Sequence, residues 1–134
     1  MTPIFNRKGK AVGWFCDNVV FNINGSAVAF LRENNVFDYR CRYLGRLDRG
    51  FLRDQNGACV AYMRGATGGP IPPVPSMPPL PPTPAVPPIP PFTGIPRIPA
   101  IGTFSWSETD WDNWIAGKRK MRRRKRRTAR KVGD

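Results

Sequence analysis

The feature that most constrains this chain is a gapless sixteen-residue period over its first half. Rows begin at Ile4, Val20, Val36 and Leu52, and those four residues form the first column. The second column reads Phe5, Phe21, Phe37, Arg53, and the third Asn6, Asn22, Asp38, Asp54. Three residues further on stand Gly9, Gly25, Cys41 and Gly57. Val12, Val28, Leu44 and Val60 follow, then Gly13, Ala29, Gly45 and Ala61. The last strong columns are Trp14, Phe30, Arg46, Tyr62 and Phe15, Leu31, Leu47, Met63. Fixed-period self-similarity of this kind marks a fold built from identical small units.

Each row has a local physical meaning. An apolar pair runs into Asn or Asp, with glycine three residues later in NRKG, NING and DQNG. An Asx side chain bonds the backbone ahead of it and glycine supplies the positive-φ position, so a type I turn with a bulge is expected. The following stretch, such as Ala11-Val12-Gly13-Trp14-Phe15, is rich in strand formers and too short for a helix. Each row is thus a hairpin-like pair of strands, and four rows make about eight strands. A single unit cannot bury its apolar face. Four can close around a pseudo-fourfold axis and so remove free sheet edges. The Gly/Ala column implies close backbone approach. The Val/Leu column beside it is the expected core ring, although the pattern leaves open which face turns inward. The expected class is all-β, with residues 1–67 as the repeat domain.

The stretches FNRKGKAVGWF, NGSAVAFL and NGACVAYMRGATGGP carry a resemblance to the bacterial four-fold β-flower family, over residues 1 to about 70. The resemblance implies four β repeats arranged like petals and implies no activity. The third row departs from it, with Cys41 in place of glycine and Arg46 in place of an aromatic residue.

Composition narrows the function classes. The chain has no histidine, which excludes a Ser-His-Asp relay, a Cys-His dyad and histidine metal ligands. A unit of 67 residues sits at the small end of what folds alone and has little room for a deep pocket. No apolar run approaches the roughly 18–20 residues of a membrane-spanning helix. Met1–Lys10 carries charge without an apolar secretory segment behind it, so a cytoplasmic location is expected. Cys16, Cys41 and Cys59 are odd in number and lack metal-ligand spacing, so they read as free thiols. The Asn6/Asn22/Asp38/Asp54 column reads as turn residues rather than cation ligands, since only two are charged. No catalytic residue, metal or cofactor is expected. Asp38 or Asp54 beside Arg46 in a deep pocket would be the seed of an enzymatic alternative.

One candidate surface site lies in the domain. If Trp14, Phe30, Arg46 and Tyr62 share an exposed rim, they could stack a base or grip a peptide by cation–π contact. The bland alternative sets Arg46 against Asp48 or an aromatic neighbour.

Beyond the repeats the composition changes abruptly. Fifteen of the sixteen prolines fall in Pro70–Pro99. Proline fixes φ and lacks an N–H, so residues 68–103 are expected as a linker whose Pro70–Pro99 stretch is polyproline II, rising about 3.1 Å per residue and reaching roughly 90 Å. It reads as a stiff spacer or, through PPLPPTP and PPIPP, as a docking site for a protein with an aromatic groove. Residues 104–117 contain Trp106, Trp111, Trp114 and Ile115. Ser107 and Asp110 resemble a capping box, and Trp111, Trp114 and Ile115 share a helical face, so a helix of two to three turns is expected. That box either packs back on the β domain or anchors a protein partner or a membrane interface.

Residues 118–134 hold Lys118, Arg119, Lys120, Arg122, Arg123, Arg124, Lys125, Arg126, Arg127, Arg130 and Lys131. Like charges this dense repel, so the tail is expected to be disordered when free. Forked guanidinium donors favour phosphate, which points to nucleic acid or another polyanion, with an anionic membrane surface as the alternative. The sequence as a whole reads as a non-enzymatic binding or tethering protein with a protein partner for its β domain or proline arm.

Overall fold

The computed structural model describes residues 1–89 and 101–117. Eight strands, β1 (Thr2–Asn6), β2 (Ala11–Cys16), β3 (Val19–Asn22), β4 (Ala27–Arg32), β5 (Asn35–Asp38), β6 (Tyr43–Asp48), β7 (Phe51–Arg53) and β8 (Cys59–Tyr62), form a closed antiparallel barrel in chain order. β1 pairs with β8 through Phe5↔Tyr62 and Asn6↔Ala61, which closes it. Among the described residues one short helix, α1 (Trp111–Ile115), follows.

Two kinds of turn alternate around the barrel. Within each row the Asx side chain organises the turn. Asn6 Oδ1 accepts from the N–H groups of Lys8 and Lys10, and Asp38 Oδ1 and Asp54 Oδ1 do the same for residues two and four further on. Gly9, Gly25 and Gly57 take positive φ, and Cys41 is held at φ 63° in the same place. Between rows the chain turns through paired positive-φ residues: Asp17-Asn18, Glu33-Asn34 and Arg49-Gly50. This is the two-residue hairpin turn whose twist matches the strands. Asx-type residues at 17, 18 and 34 were its visible signal.

The register explains which column faces inward. Ile4 pairs with Gly13, but Phe5 pairs with Ala11, so Val12 is an extra residue in β2. The same break skips Val28, Leu44 and Val60. A bulge suspends the two-residue alternation. Val12, Val28, Leu44 and Val60 therefore join their Gly/Ala neighbours in one interior cluster. The centre of that cluster is the first column: Ile4, Val20, Val36 and Leu52 are fully buried, opposite Gly13, Ala29, Gly45 and Ala61. This corrects the expected Val/Leu ring, of which Leu44 and Val60 are buried and Val12 and Val28 only half-buried. Small residues are needed opposite the aliphatic ring because the strands approach closely. A methyl at Gly45 would lie within 1.8 Å of the Arg53 carbonyl oxygen.

The outer face is also covered. Cross-strand pairs there join neighbouring rows: Trp14↔Phe21, Phe30↔Phe37 and Phe5↔Tyr62. Phe30 and Phe37 stack at 5.8 Å, and Phe5 and Tyr62 meet at 5.5 Å. The fourth equivalent pair is Arg46↔Arg53. The departures from the repeat in two separate columns thus fall on one cross-strand contact.

The described part of the proline segment, residues 70–89, does not run away from the barrel as a spacer but lies along it. The N–H of Ser76 donates to the Gly9 carbonyl at 2.9 Å, that of Ala85 to Gly25 at 3.0 Å, and that of Thr103 to Gly57 at 3.2 Å. Polyproline II forms no internal hydrogen bonds, so its few remaining N–H groups must find partners elsewhere. Carbonyls on the Asx turns accept from three of them, Ser76, Ala85 and Thr103. The donors stand nine and eighteen residues apart, matched to turns sixteen and thirty-two apart. The segment itself repeats every nine residues, as PIPPVPSMP and PLPPTPAVP. Glycine at the turn is required here twice over, since a methyl on Gly9 would meet the Val74 carbonyl at 2.8 Å.

Candidate functional site

The strap is secured at one residue. Arg53 is fully buried, in a column otherwise occupied by phenylalanine. Its guanidinium donates to the carbonyls of Gly57 at 2.6 Å, Gly68 at 2.6 Å and Thr103 at 2.8 Å, and to Asp48 Oδ2 at 3.1 Å. Its carbon lies 5.9 Å from the Phe51 ring centroid. Gly68 is where the chain leaves the barrel and Thr103 is where it returns, so one forked cation clasps both ends of the strap. Arginine suits this because five donors in a rigid plane can serve several carbonyls at once. Asp48 balances the charge and also accepts from Arg49 at 3.2 Å. Partial burial pushes the Asp48 carboxyl up. The Arg49 hydrogen bond and the charges of Arg49, Arg53 and Arg46 outweigh that, so the net displacement is downward.

Past Arg53 the returning chain is tied to β8. Ser105 and Ser107 bond the backbone of Cys59 at 3.0 and 2.7 Å, an isolated parallel bridge centred on Trp106. The Ser107 hydroxyl donates to Asp54 Oδ2 at 2.5 Å. The turn column is therefore used twice, once within the row and once to hold the C-terminal segment. Burial pushes the Cys59 thiol up to about 11, with the positive Arg53 opposing the shift. Burial likewise raises the Tyr62 phenol, whose hydroxyl donates to the Pro73 carbonyl at 2.9 Å.

α1 closes the barrel. Asp110 caps it, accepting from the Asn113 N–H at 3.0 Å. The helix is shorter than the expected two to three turns because Ser107 is engaged by Asp54 instead of starting it. Trp111 and Trp114 are only 5% and 4% exposed and belong to the interior cluster, with Ile115 packed beside them. The Trp114 indole N–H donates to the Leu44 carbonyl at 2.8 Å, at a bulge position. Trp106 sits between Phe51 and Tyr62. Of the two alternatives open for Trp106, Trp111, Trp114 and Ile115, packing on the β domain is the one seen: Trp111 and Trp114 are buried against the barrel, and Trp106 and Ile115 are half-buried there.

The expected rim is not assembled either. Trp14, Phe30 and Tyr62 are buried, one each on β2, β4 and β8, and Arg46 stands half-buried on β6. They lie on alternate strands of a closed barrel, so they are distributed around it rather than gathered. The Trp14 indole donates to the Ile23 carbonyl at 3.3 Å. Asp38 is paired with Arg42 at 2.6 Å, and Asp54 accepts from the Ser107 hydroxyl. Among the described residues no group of His, Cys, Asp or Glu is arranged to hold a metal ion, and no helix is long and apolar enough to cross a membrane. Lys118, Arg119, Lys120, Arg122, Arg123, Arg124, Lys125, Arg126, Arg127, Arg130 and Lys131 lie outside the described residues.

Two surface features were not anticipated. Large apolar side chains along the strap point into solvent, from Ile71 to Phe104. Exposed Arg7, Lys8, Arg40 and Arg42 stand on the Asx turns of the first and third rows. A period-three reading of the proline segment was the signal that would have found the first.

No curated protein and no solved structure matches the chain. A family model does, over residues 2–115, a span that takes in the barrel, the strap and the closing helix together. The repeats, the closed eight-strand sheet and that match agree, and the chain belongs to the 4-fold beta flower protein family.

Proposed function

We propose that this chain is a non-enzymatic tethering protein whose cationic run, Lys118–Lys131, holds a polyanion, with nucleic acid as the first candidate. The observation that carries the reading is the concentration of eleven of the 22 basic residues into fourteen positions. Neutralising phosphates with such a run releases counterions, so binding is strong at low salt and indifferent to base sequence. The folded part supports a carrier role. Its interior is filled with aliphatic side chains, its mouth is closed by two tryptophans, and its turn carboxylates are committed to structure. Its exposed cations on the Asx turns add to the positive field.

The test compares the full chain with a variant in which all eleven tail cations are changed to glutamine. Retardation of duplex DNA at about 50 mM salt should be strong for the parent and fall steeply with added salt. It should be abolished in the variant. Binding that survives neutralisation of the tail, or that ignores salt, overturns the assignment.

A further inference from the structure

We propose that the outer row of the strap, Ile71, Val74, Met77, Leu80, Val86 and Ile89, is a docking surface for an anionic lipid leaflet. Each of these side chains is 91–93% exposed. They advance in steps of three, interrupted only by Thr83, and three residues make one turn of polyproline II. All six turn away from the barrel into solvent. The opposite side is occupied: Pro73 and Pro82 pack on Gly9 and Gly25, and Ser76 and Ala85 bond the carbonyls of the same glycines. The barrel thus holds the strap with its aliphatic side chains facing out. A contiguous apolar row of this length is uncommon on a protein surface that meets only water.

Charge selects the occupant. Exposed Arg7, Lys8 and Lys10 flank Gly9, the residue the strap crosses first. The described chain ends at Gly117, against the guanidinium of Arg42, and eleven cations follow within the next fourteen residues. Aliphatic side chains next to many cations form the two-part signal that a single weak anchor needs for stable attachment to an anionic bilayer. Nucleic acid satisfies the cations but offers no apolar phase to the row. Single-strand recognition uses aromatic stacking, which aliphatic side chains do not provide. This inference rests on the polyanion reading for the contribution of the tail, and it adds an anionic lipid surface that the strap, unlike nucleic acid, can engage through its apolar row.

The experiment uses the full chain, the tail-neutralised variant and a row variant carrying Leu80→Ser, Val86→Ser and Ile89→Ser. The three substituted side chains are almost fully exposed, so the row variant should melt with the parent. Pelleting is measured with phosphatidylcholine vesicles with and without phosphatidylserine, alongside duplex DNA retardation. The parent should pellet with the anionic vesicles only. The row variant should lose at least about tenfold in partitioning while retaining DNA binding. Equal pelleting of parent and row variant overturns the docking surface and leaves the polyanion reading standing. DNA retardation without anionic-vesicle pelleting has the same meaning. Failure of the parent to bind either surface overturns both.

Discussion

Replacing Arg53 with methionine removes the clasp while keeping an unbranched side chain of comparable length. The guanidinium makes four hydrogen bonds, three of them to carbonyls at 2.6–2.8 Å. Charge-assisted bonds contribute about 1.5–3 kcal/mol each, which summed naively gives roughly 6–12 kcal/mol. That sum is too large, because the substitution also relieves the cost of burying a cation. The Gly57 carbonyl moreover keeps its bond from the Thr103 N–H. Removing one partner of a buried ion pair typically costs about 3–5 kcal/mol, and about 4 kcal/mol is expected here. That is a large part of the roughly 5–15 kcal/mol that holds a small domain together. Urea unfolding followed by tryptophan emission reads it directly. With a slope of about 1.5 kcal/mol per molar, the midpoint should fall by about 2–3 M. Arg53→Lys should fall between, since a point-like ammonium cannot fork between Gly68 and Thr103. A loss below about 1 kcal/mol for Arg53→Met would show that the strap does not depend on its clasp.

Three further outcomes test other parts of the structure. Trp114→Ala should cost about 3–5 kcal/mol by emptying the barrel mouth, and Trp114→Phe about 1 kcal/mol through the lost indole bond to Leu44, both read from denaturant midpoints; equal stability of Trp114→Ala and parent would place that side chain elsewhere. Asp48 has its carboxyl held below the usual value, so its stabilisation is present above the unfolded pKa of about 3.9 and is lost as pH falls through the lower folded value; the difference in melting temperature between parent and Asp48→Asn should shrink below about pH 4, and a difference constant across that range removes the assigned role. Cys59, buried and pushed up to about 11, should resist a thiol-specific disulfide reagent at pH 8 until the barrel unfolds, whereas rapid labelling of all three cysteines would contradict its burial.

Much of the barrel was legible because its determinants are local. Asn6, Asn22, Asp38 and Asp54 each dictate a turn by bonding their own backbone, and the glycine or Cys41 three residues on completes it. The interior was less legible. Reading β2 with a period of two places Val12 opposite to Gly13, but the bulge puts both into the interior cluster. Nothing in the composition of a single row announces that extra residue. The clasp was visible only as an irregularity: Arg53 breaks the phenylalanine column and Arg46 breaks the aromatic one, and pairing β6 with β7 makes them neighbours.

The course of the described proline stretch was less legible for a different reason. Proline density implies extended backbone, but extension says nothing about direction. Whether residues 70–89 leave the barrel or lie along it depends on whether acceptors lie where Ser76 and Ala85 present their N–H groups. The tryptophans followed the same logic. Their spacing declared one apolar face, and only the open barrel mouth at Leu44 and Val60 determined what that face would cover. Short-range chemistry was thus enough to specify the quadruplicated hairpin, since every bond in a turn joins residues close in the chain, whereas closure rests on the distant pairing of β1 with β8. The path of the strap, the clasp at Arg53 and the aliphatic row left facing outward depend on partners tens of residues away, and those positions exist only once the barrel has closed.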